Sequence, residues 1–150
     1  MKILVPVDGS AHSLKALEIA ADIAKTRRAE IYVISVTASI GGLEDHEISP
    51  HRRERHEEIV RELADAAIQK ARELLATQKV EVKFSQTVSS AVSVPDAIID
   101  FAEAEKIDLI VIGSLGLSVS SRFKIGSIAS QVVKYSPCSV YLVKIPAVQG

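Results

Sequence analysis

The sequence lacks the features that mark secreted and membrane-spanning proteins. It has a single cysteine, Cys138, which cannot form an intramolecular disulfide, so its composition fits a reducing compartment. No uninterrupted apolar run approaches the roughly 18 residues expected of a transmembrane helix. Met1 is followed directly by a strand-like run, without the basic and apolar regions of a signal peptide. We therefore expect a cytoplasmic protein with no membrane partner.

An excess of charge of either sign is also lacking. The 18 lysines and arginines nearly balance the 19 aspartates and glutamates, which gives a formal net charge of -1, and the two signs are interspersed. Proteins that bind nucleic acids usually carry a basic excess or patch, so we expect no nucleic-acid partner. A length of 150 residues is typical of one domain, and residues 1–150 are predicted to form it.

Two common nucleotide-binding motifs are absent as well. The chain has no GxxxxGK[ST] segment, and no GxGxxG segment follows its first predicted strand. A phosphoacceptor receiver domain needs an aspartate at the end of its third strand, where this sequence has Ser85, Gln86 and Thr87. We therefore set aside the P-loop, dinucleotide-binding and receiver interpretations.

The chain does contain a regular alternation of strand-like and helix-like segments. Short runs rich in branched apolar residues predict strands over 3–7, 30–37, 80–88, 108–112 and 139–144. Apolar residues at helical spacing predict helices over 11–26, 51–77, 94–105 and 126–135, the second with an apolar face of Ile59, Leu63, Ala66, Ala67 and Leu74. Strands that alternate with helices imply right-handed crossovers. We therefore expect an α/β fold, a single doubly wound five-stranded parallel sheet with helices on both faces.

Two loops are the places to search for a ligand site, because ligands of open parallel sheets bind beyond the carboxyl ends of the strands. The loop after the first strand contains Pro6-Val7-Asp8-Gly9-Ser10. Ser10 is a plausible N-cap of the first helix, and Asp8 fits either a ligand contact or an Asx-turn. The loop after the fourth strand contains Gly113-Ser114-Leu115-Gly116, and Gly126-Ser127 follows where the last helix is predicted to begin.

The glycines of the second loop suit an anion. Without a Cβ, Gly113 and Gly116 let backbone N–H groups come close to a phosphate. Gly126 and Ser127 lie at a helix N-terminus, where unpaired N–H groups and partial positive charge attract anions. Arg122 and Lys124 between them offer additional countercharge. The alternative is that these glycines only mark tight turns between a strand and a helix.

These motifs resemble those of a known family. The spacing Gly113-x2-Gly116-x9-Gly126-Ser127 is similar to the G-2x-G-9x-G-S/T signature of ATP-binding universal stress proteins. The segment Val5-Pro6-Val7-Asp8-Gly9-Ser10 resembles the opening strand and turn of that family. The two motifs bracket nearly the whole chain, so the resemblance covers both ends of the predicted fold.

The resemblance implies a sheet order of 3-2-1-4-5 and an ATP site with a divalent cation, Mg2+ or Mn2+. Asp8, with Pro6 and Val7 beside it, would bond the adenine or the ribose, and the Val36 backbone would meet the adenine. The remaining implied contacts lie on the second loop and the last helix: Ile112, Gly113 and Gly116 at the ribose and α-phosphate, and Gly126, Ser127 and Ile128 at the outer phosphates. Leu115 and Arg122 are further candidate nucleotide contacts, Arg122 as a source of countercharge. Leu115 stands where many relatives carry a polar or basic side chain.

The last strand is expected to form a homodimer contact. Its residues 139–144 read SVYLVK, so both of its faces are apolar, and a bare edge of this kind would invite uncontrolled pairing. A twofold contact with a second copy satisfies the edge. Family resemblance points to the same strand.

Other side chains are assigned no chemistry. His46, His51 and His56 recur at intervals of five residues, whereas helical ligands of one metal ion usually lie three or four apart, so a solvated face is favoured. His12 is expected to be exposed, and Cys138 is interpreted as a small core residue. No residue is an evident general base for attack on a phosphate. The leading hypothesis is an ATP-binding regulatory homodimer in the stress response; the alternatives are a slow ATPase or phosphotransfer enzyme, and a nucleotide-free dimeric scaffold.

Overall fold

The fold was analysed in a computed structural model, which describes residues 1–38, 50–116 and 125–146. Every predicted element is present, with its bounds within two residues of those expected from the sequence. The predicted loop over 38–50 lies almost wholly outside the described residues. His46, Arg122 and Lys124 lie outside them entirely. The elements are β1 (Lys2–Pro6), α1 (Ala11–Arg27), β2 (Glu30–Ala38), α2 (Pro50–Thr77), β3 (Val82–Ser90), α3 (Val94–Ala104), β4 (Leu109–Gly113), α4 (Ser127–Tyr135) and β5 (Ser139–Val143).

The five strands form one parallel sheet in the order β3-β2-β1-β4-β5, which confirms the predicted fold class and order. Strands β3 and β5 are its edges. The order reverses at β1, because the chain runs outward to β2 and β3 on one side and then crosses to β4 and β5 on the other. The carboxyl ends of β1 and β4 therefore flank the point at which a ligand of such a sheet is expected.

Helices cover both faces of the sheet, and the alternation of strand side chains divides the core into two layers. Ile3 and Val5 point to the face covered by α1 and α2, where they pack with Leu17. Leu4 points to the opposite face, covered by α3 and α4, and belongs to the same core layer as Ile98. All five side chains are at most 1% exposed, and each contributes about 1.5–3 kcal/mol through burial. The two layers hold the strand ends in fixed positions.

The apolar face expected for α2 is partly wrong. Ile59 and Leu63 are 53% and 58% exposed, and no residue of α2 before Ala64 is buried. The contact with the sheet is made by a stripe in the second half of the helix: Ala64, Ala67, Ile68, Ala71 and Leu75. Small residues predominate in this stripe because α2 packs against both α1 and the sheet. In the part of the chain that the structure describes, no helix is long and apolar enough to cross a bilayer.

Candidate functional site

A cavity of about 260 Å³ opens beyond the carboxyl ends of β1 and β4, at the point where the strand order reverses. Parallel sheets place their ligand sites here because several loops and helix N-termini converge at this edge. The walls come from β1, β2 and β4 with the loops that follow β1 and β4, and from the first turns of α1, α3 and α4. The lining residues are Pro6, Val7, Asp8, Ser13, Val36, Val94, Ile98, Ile112, Gly113, Ser114, Leu115, Gly116, Gly126, Ser127, Ile128 and Ala129.

The structure brings together all of the site residues named from the sequence except Arg122, which lies outside the described residues. It also adds five that sequence reasoning missed: Ser13, Val94, Ile98, Ser114 and Ala129. Val94 and Ile98 stand four residues apart in the first half of α3, so they form one apolar wall. An apolar pair of this kind, at the start of a helix that follows a strand, was the sequence signal that could have indicated this wall of the pocket.

Asp8 forms the Asx-turn that its sequence context suggested, and only one of its two carboxylate oxygens takes part in it. Its Oδ1 atom accepts a hydrogen bond from the Ser10 N–H at 2.9 Å, which is an Asx-turn. Ser10 in turn caps α1, accepting from the Ser13 N–H at 3.3 Å. The second carboxylate oxygen, Oδ2, accepts no hydrogen bond from the described residues and lies against Gly116, where an added Cβ would be 2.6 Å from it. One oxygen therefore shapes the turn, and the other faces the pocket.

Gly113 is explained by a close approach of protein backbone. A Cβ at this position would lie 2.7 Å from the Cβ of His12 and 2.8 Å from its carbonyl carbon. The first turn of α1 thus packs directly on the end of β4, and His12 is half-buried instead of exposed as expected. At this position the turn-and-packing interpretation of the glycine is supported by geometry.

We expect Gly113→Ala to lower the free energy of unfolding by about 1–3 kcal/mol, because the clash with His12 involves backbone that cannot rotate away. The usual gain from replacing glycine, about 0.4–1 kcal/mol through a less flexible unfolded chain, is smaller than this loss. Thermal melting measures the difference. Gly126→Ala is the matched control, since its Cβ would meet nothing closer than 3.4 Å. Equal melting temperatures for the two variants would contradict the packing role.

Gly126 is the N-cap of α4, and the helix itself begins at Ser127. The Gly126 N–H donates to the Ser114 carbonyl at 2.6 Å. The hypothesis that this amide points at a phosphate is therefore wrong, since it is already used within the protein. The first hydrogen bond of the helix runs from the Ser130 N–H to the Gly126 carbonyl at 3.0 Å.

The three amides that follow Gly126 are free of hydrogen-bond acceptors within the helix. The N–H groups of Ser127, Ile128 and Ala129 precede the first helical hydrogen bond, so they have no acceptor within α4. Glycine supplies no capping side chain for them. All three residues line the pocket. An anion there would receive these hydrogen bonds and the positive end of the helix dipole.

The described walls are otherwise mostly apolar. Among the lining residues that the structure describes, Asp8 is the one with an ionisable side chain. The described residues hold no group of three histidine, cysteine or acidic side chains arranged for a metal ion, and His51 and His56 are exposed on α2. The pocket therefore offers a mostly apolar lining, one carboxylate oxygen and a set of helix amides, which suits a ligand with an apolar ring system, a hydrogen-bond donor and an anionic group.

Comparisons with known proteins agree with this architecture. The family model described as the universal stress protein family matches residues 1–144. A universal stress protein of Methanocaldococcus jannaschii is 33% identical over 152 aligned residues, which cover 97% of this chain and 82% of the relative. The solved universal stress protein UspA of Lactobacillus plantarum is 27% identical with a TM-score of 0.72, over 96% of this chain and 97% of the other. The universal stress protein of Archaeoglobus fulgidus in complex with dAMP is 26% identical with a TM-score of 0.68, over 96% and 98%. This chain belongs to the universal stress protein family.

Proposed function

We propose that residues 1–150 form a single ATP-binding domain, and that the protein acts in the stress response as a regulatory homodimer whose behaviour depends on bound nucleotide. The observation that carries the proposal is the pairing, within one pocket, of uncapped amides at the start of α4 with the pocket-facing Oδ2 of Asp8. The two kinds of group suit opposite ends of a nucleotide. The helix amides suit an anion such as a phosphate, and Asp8 Oδ2 suits a hydroxyl or amine donor.

The base and sugar are assigned to the apolar side of the pocket. Val36 at the end of β2, Val94 and Ile98 from α3 and Ile112 from β4 form its walls. Apolar surfaces of this kind favour the faces of a purine ring, and burial of ring surface contributes about 25 cal/mol for each Å² removed from water. Asp8 Oδ2 then accepts a hydrogen bond from the ribose or from the adenine amine.

The phosphates are assigned to the N-terminus of α4. The amides of Ser127, Ile128 and Ala129 would hold phosphate oxygens, and Gly116 and Leu115 would border the path between sugar and phosphate. A Mg2+ or Mn2+ ion fits this assignment as a partner of the phosphate oxygens, because both ions prefer oxygen ligands. The dAMP complex of the Archaeoglobus fulgidus relative supports an adenine nucleotide in this fold, and the triphosphate is our extension of it.

The proposal is tested by denaturing the purified protein and identifying the released nucleotides by chromatography, together with calorimetric titration of the nucleotide-free protein with MgATP. An adenine nucleotide in the extract, or saturable binding of ATP, is the expected result. An empty extract without measurable binding would instead favour a nucleotide-free scaffold. Formation of ADP from added ATP at a higher rate than with a binding-deficient variant would favour the slow ATPase.

The homodimer is proposed to form along the free edge of β5. Tyr141 and Ile145 are 46% and 38% exposed beside this edge. The Val143 carbonyl accepts a hydrogen bond from Ser114 on the β4 side, so the backbone groups of Val140 and Leu142, which alternate with it, point outward. A second copy would satisfy them by pairing with the strand.

Val140→Pro is expected to shift the protein to monomer, because proline removes an outward N–H without removing a hydrogen bond to β4. Light scattering at micromolar concentration measures the change. Val140→Ala is the control: it shortens the side chain but keeps the N–H, so the dimer should persist. A parent protein that is monomeric under these conditions, or a proline variant that remains fully dimeric, would contradict the placement.

A further inference from the structure

The backbone of one buried residue, Ser114, connects the candidate nucleotide pocket with the edge strand β5. The Ser114 N–H donates to the Val143 carbonyl at 2.7 Å, and the Ser114 carbonyl accepts from the Gly126 N–H at 2.6 Å. Ser114 is 1% exposed and Val143 is 2% exposed, so the bond between them is shielded from water, whereas Gly126 is half-buried in the pocket wall. The end of β5 and the N-cap of α4 are therefore both fixed to the residue that follows β4.

A second, covalent connection joins the same two elements. Helix α4 ends at Tyr135, and the chain enters β5 at Ser139 after only three residues. The Ser136 hydroxyl makes hydrogen bonds to the backbone N–H and carbonyl of Cys138, at 3.1 and 2.8 Å, which fixes the shape of this connection. Helix α4 and strand β5 are therefore connected at both ends of the strand.

We propose that the Ser114 backbone couples the occupancy of the pocket to pairing at the outer edge of β5, so that nucleotide and a second copy of the chain favour each other's binding. The inference rests on the proposed function, since it needs a nucleotide at the α4 amides and a dimer at β5. Ser114 acts in it as a positioning residue, because its backbone holds Gly126 and thereby the amides of Ser127 to Ala129 in place.

The expected sign of the coupling is positive. A phosphate at the start of α4 orders the segment formed by Ser114, Gly126 and the first turn of the helix, and a paired β5 orders the Val143 end of the same hydrogen-bond chain. Whichever of the two binds first, the nucleotide or the second copy of the chain, bears the entropic cost of this ordering. The other then binds more tightly. The opposite edge of the sheet is the internal contrast, because β3 pairs with β2 and is separated from β4 by both β2 and β1.

The experiment measures the dimer dissociation constant by analytical ultracentrifugation, with and without saturating MgATP, and the ATP dissociation constant at protein concentrations below and above it. Couplings between sites commonly correspond to factors of about 5–150, so we expect ATP to tighten the dimer at least about fivefold, and dimerisation to tighten ATP by the same factor. ATP that binds without changing the dimer constant would overturn the coupling and leave the proposed function standing. A protein that binds no ATP, or forms no dimer, would overturn both.

The route through Ser114 is tested with a matched pair of substitutions. Gly126 has a φ of -73°, which proline can adopt, and Gly126→Pro removes the N–H that binds Ser114. Gly126→Ala keeps that N–H. We expect the coupling factor to fall towards one in Gly126→Pro and to stay at the parent value in Gly126→Ala, whatever their absolute ATP affinities. Equal factors in the two variants would overturn the route.

A measurement on the unsubstituted protein covers the case in which Gly126→Pro does not fold. Without nucleotide, raising the protein concentration through the dimer constant should slow hydrogen exchange at the Gly126 amide, although Gly126 lies in the pocket wall and not on the β5 edge. The amides of β3 should not change. Exchange at Gly126 that is independent of dimerisation would overturn the proposal.

Discussion

Replacing Asp8 with asparagine is expected to weaken ATP binding about tenfold to a hundredfold while the fold persists. The asparagine carbonyl oxygen can take the place of Oδ1 and accept from the Ser10 N–H, so the Asx-turn is kept. At Oδ2 an acceptor becomes an NH2 donor, which cannot receive a hydrogen bond from the nucleoside. Loss of a hydrogen bond to a charged group costs about 1.5–3 kcal/mol, and each 1.4 kcal/mol is a factor of ten in affinity. Calorimetric titration with MgATP measures the effect.

Asp8→Ala serves as the comparison, because it removes both oxygens. It should lose ATP affinity as the asparagine variant does and should also melt at a lower temperature, since the Ser10 N–H loses its acceptor at the start of α1. If the Asp8→Asn variant bound ATP as the parent protein does, the role of Asp8 would be limited to the turn. Equal melting temperatures for the two variants would show that the Asx-turn adds little stability.

The sequence predicted the fold well because the signals for its elements are local. Strand β1 is a short run of branched apolar residues that ends at a turn, and Ser10 follows at the position where it caps α1. Periodicity and capping depend on residues a few positions apart, so the sequence displays them directly.

The buried face of α2 could not be predicted in the same way. Ile59 and Leu63 are large apolar residues, yet they are exposed, whereas Ala64, Ala67 and Ala71 are buried. Which side of a helix is buried depends on where the sheet and α1 lie, and closely packed elements select small side chains. Size and hydrophobicity alone therefore pointed to part of the wrong face.

The site shows the same division between local and spatial information. Spacing placed Gly113, Gly116 and Gly126 in one region, but the reason for glycine at the first two lies in a residue distant in sequence. His12 packs on Gly113, and the Asp8 carboxylate lies against Gly116. The same limitation explains why Val94 and Ile98 were missed, since α3 reaches the pocket only through the crossover between β3 and β4.

Gly126→Asp is expected to abolish measurable ATP binding while leaving the protein folded. Aspartate is a strong N-cap residue, and from this position its carboxylate can accept from the N–H groups of Ile128 or Ala129. It would thus occupy amides proposed to hold the phosphates and add a negative charge beside them. The change fits sterically, because a Cβ here meets nothing closer than 3.4 Å and the φ of -73° is open to any residue. Capping and the helix dipole should stabilise α4 by a few tenths of a kcal/mol or more.

Three further variants separate the causes of that loss in parallel ATP titrations and thermal melts. Gly126→Asn caps the same amides without the charge, so it should bind ATP more weakly than the parent but better than the aspartate variant. Gly126→Ala offers no capping oxygen and should bind nearly as the parent does. Ser127→Ala keeps its backbone amide and loses only a hydroxyl, at about 0.5–1.5 kcal/mol, or roughly twofold to tenfold in affinity. If folded Gly126→Asp bound ATP as the parent does, the phosphates would not lie at the α4 amides, and this helix would have to be removed from the proposed site.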